Sequence, residues 1–419
     1  MMTIRPARFL ARLRPPAGAA AGQRDLALEA LRGICAGLVF YAHVFFPAPA
    51  LDPVYAPSAR FWWFNLGGVA VLMFFVMSGY AIGLSVRTPF STAGARHYLG
   101  RRALRLLPVG TAAVLLAWLL RPETDGHTVM GNLLFLQNDF PYPVVGWSFP
   151  TLLNNAALWT LNFEALYYLV FLLVWWLAPS IPLLAGSLAL LIFGPSLGIP
   201  VPDMVTHHAC GAIYWMAGLG LAWLTGSPGD QERLRTPWPS ALLGAYALWT
   251  IGGLRAVLLT ADSSSLLWLS IVSPHRLDFL PAALWCVLAV TGRAPRLRGI
   301  MAGACLAWGW FGVVFSWSTN QWGENHWLGA AALLAATGLA GWAPGLGALR
   351  RLAPLGTVSF GIYAFASPLQ IALCGLLPGF SGSPFTFAVR LTIVAGGTLA
   401  LAWLFDRRLQ AWLAARRSR

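Results

Sequence analysis

The chain has 419 residues, of which 58% are hydrophobic and 10% are charged, and it contains 21 Trp and 24 Phe. A soluble domain has about a quarter charged residues, so this composition excludes a soluble enzyme and indicates a protein whose apolar solvent is lipid. The net charge of +14 comes from 28 basic residues, all of them Arg, which collect between the hydrophobic stretches. That distribution is typical of loops on the cytoplasmic side of a membrane and argues against a nucleic acid as the partner.

Charged residues, Pro and Gly divide the chain into about twelve apolar stretches, most of them long enough to cross a bilayer. The sequence therefore predicts an all-α, polytopic bundle of about 10–12 spanning helices. Most of the arginines fall in alternate connections when both termini are placed in the cytoplasm, so we predict cytoplasmic termini. The stretches lie near 28–46, 66–86, 105–121, 158–178, 181–199, 207–225, 239–259, 278–292, 299–316, 327–343, 354–377 and 385–405.

Three regions follow from this division. Residues 1–27 form a basic cytoplasmic segment that lacks the apolar core of a cleaved signal peptide. Residues 28–405 form the transmembrane domain, and residues 406–419 form a basic cytoplasmic tail.

The first predicted helix carries an arginine and a histidine on one face. Arg32 and His43 are eleven residues apart, which is three turns and ~16 Å along a helix. Such a helix holds a cation near the cytoplasmic surface and an imidazole deep in the bilayer, which suits a long ligand with an anionic head and a distant reacting group. The alternatives are an interfacial arginine and a hydrogen-bonded structural histidine.

Small and basic residues mark the boundary between the second and third predicted helices. Ser78 and Gly79 favour close helix packing, and Ser78 is also a candidate substrate contact. The third helix begins with Arg101, Arg102 and, one turn later, Arg105. Guanidinium groups bind phosphate oxygens bidentately, so these arginines indicate a phosphate site at the cytoplasmic boundary. Ordinary anchoring of a cytoplasmic loop explains their charge equally well.

The fourth predicted helix carries one acid well inside its apolar run, Glu164. A carboxylate at membrane depth is costly, so it should pair with a cation or be protonated. Tyr167 and Tyr168 follow three and four residues later on the same helix face and are candidate substrate contacts. A purely structural pair of Glu164 with an arginine or histidine is the alternative.

The longest connection on the predicted outer side, 122–157, mixes Asn, Asp, Pro and aromatic residues. It suits a re-entrant or surface loop that holds a polar, ring-shaped acceptor, with Asp139 as a candidate contact, although a plain connecting loop fits equally well. Other polar residues of the outer half are weaker candidates, because most such residues are solvated loop residues. They are His207, His208, His275, Asp278, Glu324 and His326.

The cysteines predict buried thiols rather than a metal site, because none lies at metal-ligand spacing from a histidine or another cysteine. They are Cys35, Cys210, Cys286, Cys305 and Cys374.

Five segments resemble, in order, the successive signatures of the acyltransferase-3 family of integral membrane acyltransferases. They are LRGICAGLVFYAH, FFVMSGYAIG, GRRALRLLPV, WTLNFEALYYL and LGTVSFGIYAFASPL. Each is weak alone, but five in order are specific. The chain departs from the family in the last segment, where Ala366 replaces a histidine that often stands two residues before the proline, here Pro368. Any function of that histidine is therefore absent or displaced.

The resemblance implies transfer of an acyl group, with acetyl expected, from cytoplasmic acyl-coenzyme A to a hydroxyl of a sugar-containing acceptor. It implies that His43 is catalytic and that Glu164 supports it. His43 either deprotonates the acceptor hydroxyl or attacks the thioester and carries the acyl group transiently, and we expect Glu164 to hold the imidazole in one tautomer. The arginines that would bind the donor are Arg32, Arg101, Arg102 and Arg105.

The same resemblance implies an integral protein of the bacterial cytoplasmic (inner) membrane, with no metal cofactor. Its expected partners are acyl-coenzyme A, a glycan or a glycosylated small molecule or lipid, the membrane lipids and a second copy of the chain. The alternative function is a transporter or flippase of an envelope precursor, without acyl transfer. A transporter predicts charged groups near the midplane of several helices, whereas the polar residues here concentrate in the first four.

Overall fold

The structure is a computed structural model that describes residues 25–45, 51–137, 149–225, 235–252 and 271–417. Across these residues the regular elements are helices, apart from one isolated antiparallel bridge between Arg235 and Gly345. The prediction of an all-α chain is confirmed. The helices are α1 Leu26–Phe45, α2 Gly67–Ser85, α3 Thr92–Leu120, α4 Gly126–Leu133, α5 Trp159–Leu177, α6 Ile181–Phe193, α7 Asp203–Thr225, α8 Trp238–Ile251, α9 Leu280–Thr291, α10 Pro295–Ser318, α11 Glu324–Gly338, α12 Ser359–Leu376, α13 Pro384–Ala402 and α14 Gln410–Arg417.

Each predicted apolar stretch coincides with a helix, although residues 253–259 of one stretch and 1–24 of the predicted N-terminal segment lie outside the described residues. Seven spans have the length and composition needed to cross a membrane, which confirms a polytopic integral membrane protein. They are Leu26–Phe45, Gly67–Ser85, Thr92–Leu120, Leu153–Leu177, Pro295–Ser318, Ser359–Leu376 and Pro384–Leu413.

Some of the other predicted stretches form shorter helices because glycine and proline end them. Helix α6 stops before Gly194 and Pro195. Helix α9 stops at Gly292, whose φ of 70° lies in the left-handed region that favours glycine.

Large apolar side chains are exposed on α10 and α11. Val314, Trp317, Trp327 and Leu334 each expose 60–65% of their surface. In a membrane these surfaces contact lipid rather than water.

The described residues divide into two compact units. The first unit contains Leu72–Thr92, Leu169–Ala348 and the start of α1. The second unit contains Glu29–Val71, Ala93–Tyr168 and Leu349–Arg419.

In the first unit, α2 and α7 pack backbone against backbone. A Cβ atom on Gly79 would lie 1.9 Å from the carbonyl oxygen of Trp215, and one on Gly218 would lie 2.0 Å from that of Val76. No side chain fits at either position. The Ser78–Gly79 pair therefore occurs where two helices approach closely, as small residues do in membrane helices.

We expect Gly218→Ala to destabilise the protein by about 1–3 kcal/mol or more, because the added methyl group forces α7 away from α2. Gly220→Ala, on the same helix, is the matched control, since a Cβ atom at that position would meet no atom of a neighbouring element within 4 Å. Thermal unfolding of the two variants in detergent measures the difference. Equal melting temperatures would show that the two helices do not pack as described.

In the second unit, α1 is fixed at both ends. Its first turns contact the short helix Ala353–Gly356, where a Cβ atom on Gly356 would lie 1.8 Å from the Glu29 carbonyl oxygen. Near its C-terminal end, Val44 joins an apolar cluster with residues of α12 and α13. The cluster consists of Val44, Leu51, Leu373, Phe387 and Val394. The two ends of α1 therefore have fixed surroundings, and they carry Arg32 and His43.

Buried amide side chains tie the described parts of the 122–157 connection to the helices of the second unit. Asn154 Nδ2 donates to the Ala117 carbonyl at 2.6 Å, and Asn155 Nδ2 donates to the Ala364 carbonyl at 2.9 Å. Gln137 Nε2 donates to the Leu158 carbonyl at 2.7 Å. These bonds anchor both ends of the connection in the protein interior, while residues 138–148, including Asp139, lie outside the described residues.

Candidate active site

The first element of the site is a buried ion pair on α1. Arg32 Nη1 and Glu29 Oε1 are 3.0 Å apart, and their side chains are 7% and 14% exposed. The i,i+3 spacing brings the two groups together on one helix face. Arg32 also interacts electrostatically with Glu164, Tyr168 and Arg105, so the N-terminal part of α1 faces the acid of α5 and the last arginine of the α3 cluster.

The arginines of α3 differ in exposure and in surroundings. Arg101 is exposed, whereas Arg102 and Arg105 are half-buried. The Arg102 guanidinium lies 5.4 Å from the ring centroid of Tyr98 and 5.3 Å from that of Tyr168. The two rings are themselves perpendicular, at 84° and 6.3 Å. Two cation–π contacts therefore hold Arg102 beside the aromatic residues of the site.

Arg105 lies one turn further along α3 and interacts electrostatically with three acids and a phenol. These groups are Tyr168, Glu164, Glu29 and Asp406. Among the residues that the structure describes, no group makes a hydrogen bond or an ion pair with the Arg105 guanidinium. A guanidinium with acids around it but no direct partner is available for an anionic or carbonyl oxygen of a ligand.

On α5, Glu164 accepts a hydrogen bond from the Tyr168 hydroxyl, as the spacing of four residues allows. Tyr167, one residue earlier, is buried and packs its ring at 79° against Phe163. The sequence predicts both tyrosines on the helix face of Glu164. Of the two, only Tyr168 donates its phenol hydrogen to the carboxylate.

His43 lies in the last turn of α1 and is half-buried. No hydrogen bond joins it to Glu164 in the described part of the chain, and Glu164 is instead occupied by Tyr168. The reason is distance along α1: Glu164 interacts with Arg32, and His43 is ~16 Å further along the same helix. The structure thus separates the carboxylate from the histidine that it was expected to orient.

Sequence reasoning missed two acids of this cluster, Glu29 and, in the last span, Asp406. Asp406 lies in a π-helical stretch, Trp403–Leu409, that continues α13 into the region predicted as a basic tail. Its carboxylate accepts hydrogen bonds from the Gly361 amide at 2.6 Å and from Gln410 Nε2 at 3.0 Å. Tyr363 of α12 was also missed, and it interacts electrostatically with Glu164, Asp406 and Arg105. For Asp406, the available signal was a lone acid directly after an apolar run.

Three of the four weaker histidine candidates have local partners, and His207 is the exception, with its buried Nε2 making no hydrogen bond to a described residue. His208 Nδ1 lies 2.8 Å from the Met204 carbonyl, His275 Nδ1 lies 3.0 Å from the Ser273 hydroxyl, and His326 Nδ1 accepts from the Gly323 amide at 3.0 Å. These contacts fit structural roles at the positions concerned. Like Ser78, Asp278 and Glu324, they belong to the first unit, whereas Glu164 belongs to the second.

The cysteines of the described residues do not take part in a cluster of metal ligands. None of the five thiols forms a disulfide with another described residue; four of them are buried and Cys374 is half-buried. Within the described ranges, no group of three or more His, Cys, Asp or Glu side chains is arranged to hold a metal ion.

A family model described as an acyltransferase domain matches residues 25–407, which is nearly the whole chain. No curated protein and no solved structure matches the chain. The matched region includes every residue of the cluster, from Glu29 to Asp406. The chain therefore belongs to the acyltransferase-3 family and is an integral membrane acyltransferase.

Proposed function

We propose that this acyltransferase moves an acetyl group from cytoplasmic acetyl-coenzyme A to a hydroxyl of a sugar-containing acceptor in or across the bacterial inner membrane. The observation that carries the proposal is the Arg105 guanidinium, which has no direct partner among the described residues. It lies among Glu29, Glu164 and Asp406, a few residues from the exposed Arg101. Such a group favours a ligand with several oxygen atoms, as a nucleotide-bearing acyl carrier has.

The donor phosphates bind first to Arg101 and Arg102, which lie at the predicted cytoplasmic boundary. Arg102 is held by two aromatic rings, so its planar fork loses little freedom when it binds a phosphate. Arg105 and Arg32 contact the donor further in. From there the acyl arm runs along α1 for the ~16 Å that separate Arg32 from His43, and the thioester reaches the imidazole.

His43 acts as the general base at the thioester. Its neutral imidazole takes the proton of the acceptor hydroxyl while that oxygen attacks the thioester carbonyl. The carbon–sulfur bond then breaks, and the coenzyme A thiolate leaves and takes up the proton from the imidazole. The acetyl group remains on the acceptor as an ester, and free coenzyme A returns to the cytoplasm.

Glu164, Tyr167, Tyr168 and Asp139 complete the proposed site. Glu164 and Tyr168 keep the inner arginines in place, since the two side chains are bonded to each other and interact with Arg105. The other residues are proposed to contact the acceptor, which is a glycan or a glycosylated lipid or small molecule. A transporter or flippase is not favoured, because the family is one of acyltransferases.

We expect the double variant Arg101→Ala plus Arg102→Ala to weaken acetyl-coenzyme A binding at least tenfold, because two charge-assisted phosphate contacts are each worth about 1.5–3 kcal/mol. Binding of radiolabelled acetyl-coenzyme A to the purified protein measures the dissociation constant. The control is Arg296→Ala plus Arg351→Ala, which removes the same charge from two exposed arginines elsewhere.

An unchanged dissociation constant in the first double variant would remove the phosphate assignment. No binding of acetyl-coenzyme A to the wild-type protein would contradict the proposed donor itself.

A further inference from the structure

The π-helical stretch after α13 places one carboxylate, that of Asp406, in the charged cluster around Arg105. Trp403–Leu409 is wound as a π-helix, an irregularity that occurs frequently at functional sites. Asp406 lies in its middle and accepts a hydrogen bond from the Gly361 amide, in the first turn of α12. An anion at a helix N-terminus is favourable, so this contact offsets part of the cost of burying the Asp406 carboxylate.

The contact between Asp406 and α12 has little freedom. A Cβ atom on Gly361 would lie 2.5 Å from the Cα atom of Ala402 and 3.3 Å from Asp406 Oδ2. Only a glycine lets α12 and the last span approach this closely. The position of the Asp406 carboxylate is therefore set by backbone packing and not by its own side-chain freedom.

Asp406 is linked to Arg105 in two ways. Gln410 Nε2 donates to Asp406 Oδ1 at 3.0 Å and to the Arg105 carbonyl oxygen at 3.2 Å, which joins the last span to α3. Asp406 also interacts electrostatically with Arg105 and with Glu164. It makes no ion pair with the Arg105 guanidinium, so it affects that group by a longer-range electrostatic interaction and not by a direct contact.

The formal charges of the inner cluster nearly cancel, so the acids weaken the attraction of its arginines for an anion. Two cations, Arg32 and Arg105, face three acids, and Arg102 at the edge brings the formal sum only to zero. The acids are Glu29, Glu164 and Asp406. Glu29 is paired with Arg32, and Glu164 is bonded to Tyr168. Only Glu29 has a cationic partner among the described residues; Glu164 and Asp406 accept hydrogen bonds from neutral groups, so both of these charges oppose a bound anion, and Asp406 is the one carried by the last span.

We propose that Asp406 limits how tightly Arg105 holds the anionic part of the donor, and that it thereby speeds release of coenzyme A after acyl transfer. The inference rests on the proposed function and deepens it. Asp406 contacts neither donor nor acceptor; it is a positioning residue that acts through Arg105. A site with the same arginines but without this charge would bind donor and product more tightly and turn over no faster.

The test is Asp406→Asn, which removes the charge while the amide oxygen still accepts from Gly361. We expect the dissociation constant of coenzyme A and the KM for acetyl-coenzyme A to fall about tenfold, the size expected when one charge is removed from a partly buried site. The kcat should not rise, and inhibition by added coenzyme A should strengthen. Asp203→Asn, which neutralises an exposed acid at the start of α7, should change none of these values.

Asp406→Ser provides a second neutral acceptor for Gly361 if the asparagine variant fails to fold, as judged by thermal unfolding. Equal or weaker binding of coenzyme A to a folded neutral variant would overturn the inference. The wild-type measurement separates the two proposals: if the wild-type protein binds no coenzyme A, the proposed donor is wrong, whereas wild-type binding without tightening in the variants refutes only the role of Asp406.

Discussion

His43→Ala is expected to reduce acyl transfer by at least about 10²-fold, the lower end of what a positioned general base contributes. His43 lies in the last turn of α1, ~16 Å along the helix from Arg32, so its loss should leave the donor-binding arginines undisturbed. Binding of acetyl-coenzyme A should therefore stay within about twofold of the wild-type value while transfer is lost. The measurement is transfer of a radiolabelled acetyl group by membranes that contain each variant.

His97→Ala is the matched control for this experiment, because His97 is an exposed histidine of α3. Full activity in His43→Ala would exclude the proposed base. A further measurement separates the base from a covalent carrier: acetyl label that remains on the denatured wild-type protein, but not on His43→Ala, in the absence of acceptor would show that the imidazole itself carries the acyl group.

Arg390→Met is expected to destabilise the protein by about 3 kcal/mol or more, because it leaves buried carbonyl groups without their donor. Arg390 is fully buried and donates to the Phe380 carbonyl at 2.7 Å, the Leu51 carbonyl at 2.9 Å and the Leu377 carbonyl. Thermal unfolding in detergent measures the loss. Arg121→Met, at an exposed arginine after α3, is the control and should melt close to the wild-type protein.

The neighbouring Asp52 explains why this region should unfold as one piece. Burial would raise the pKa of its carboxyl group, but hydrogen bonds from the Tyr55 and Val54 amides, the Thr386 hydroxyl and the Gly382 amide outweigh burial and hold the pKa below its usual value. The carboxylate is therefore ionised at neutral pH and ties residues 52–55 to the start of α13. If Arg390→Met melts like the control, the segment is held together without the arginine.

The positions of the helices could be predicted from the sequence because the signal is local. An apolar run of about 20 residues needs no partner to be recognised, and each predicted run coincides with a helix. The pairing of Glu164 with Tyr168 is equally local, since residues four apart share a helix face. The separation of Arg32 and His43 along one helix also follows from spacing alone.

Other features of the site depend on contacts between distant parts of the chain. The cation–π contacts of Arg102 with Tyr168 join α3 to α5, and no spacing rule connects them. The expected bond between Glu164 and His43 failed to appear because the partner of an intramembrane acid is decided by which helix packs against it. Here that acid faces the Arg32 end of α1 instead.

By itself the sequence determined an all-α membrane protein and the family to which it belongs, because composition, apolar length and motif order are properties of the linear chain. Only the tertiary structure decided that Asp406 lies close enough to interact electrostatically with Arg105, and that the Arg105 guanidinium has no direct partner among the described residues. The physical reason is that α12 and the last span approach closely at Gly361. This approach fixes Asp406, the lone acid after an apolar run, at a position where its carboxylate interacts with Arg105 of α3.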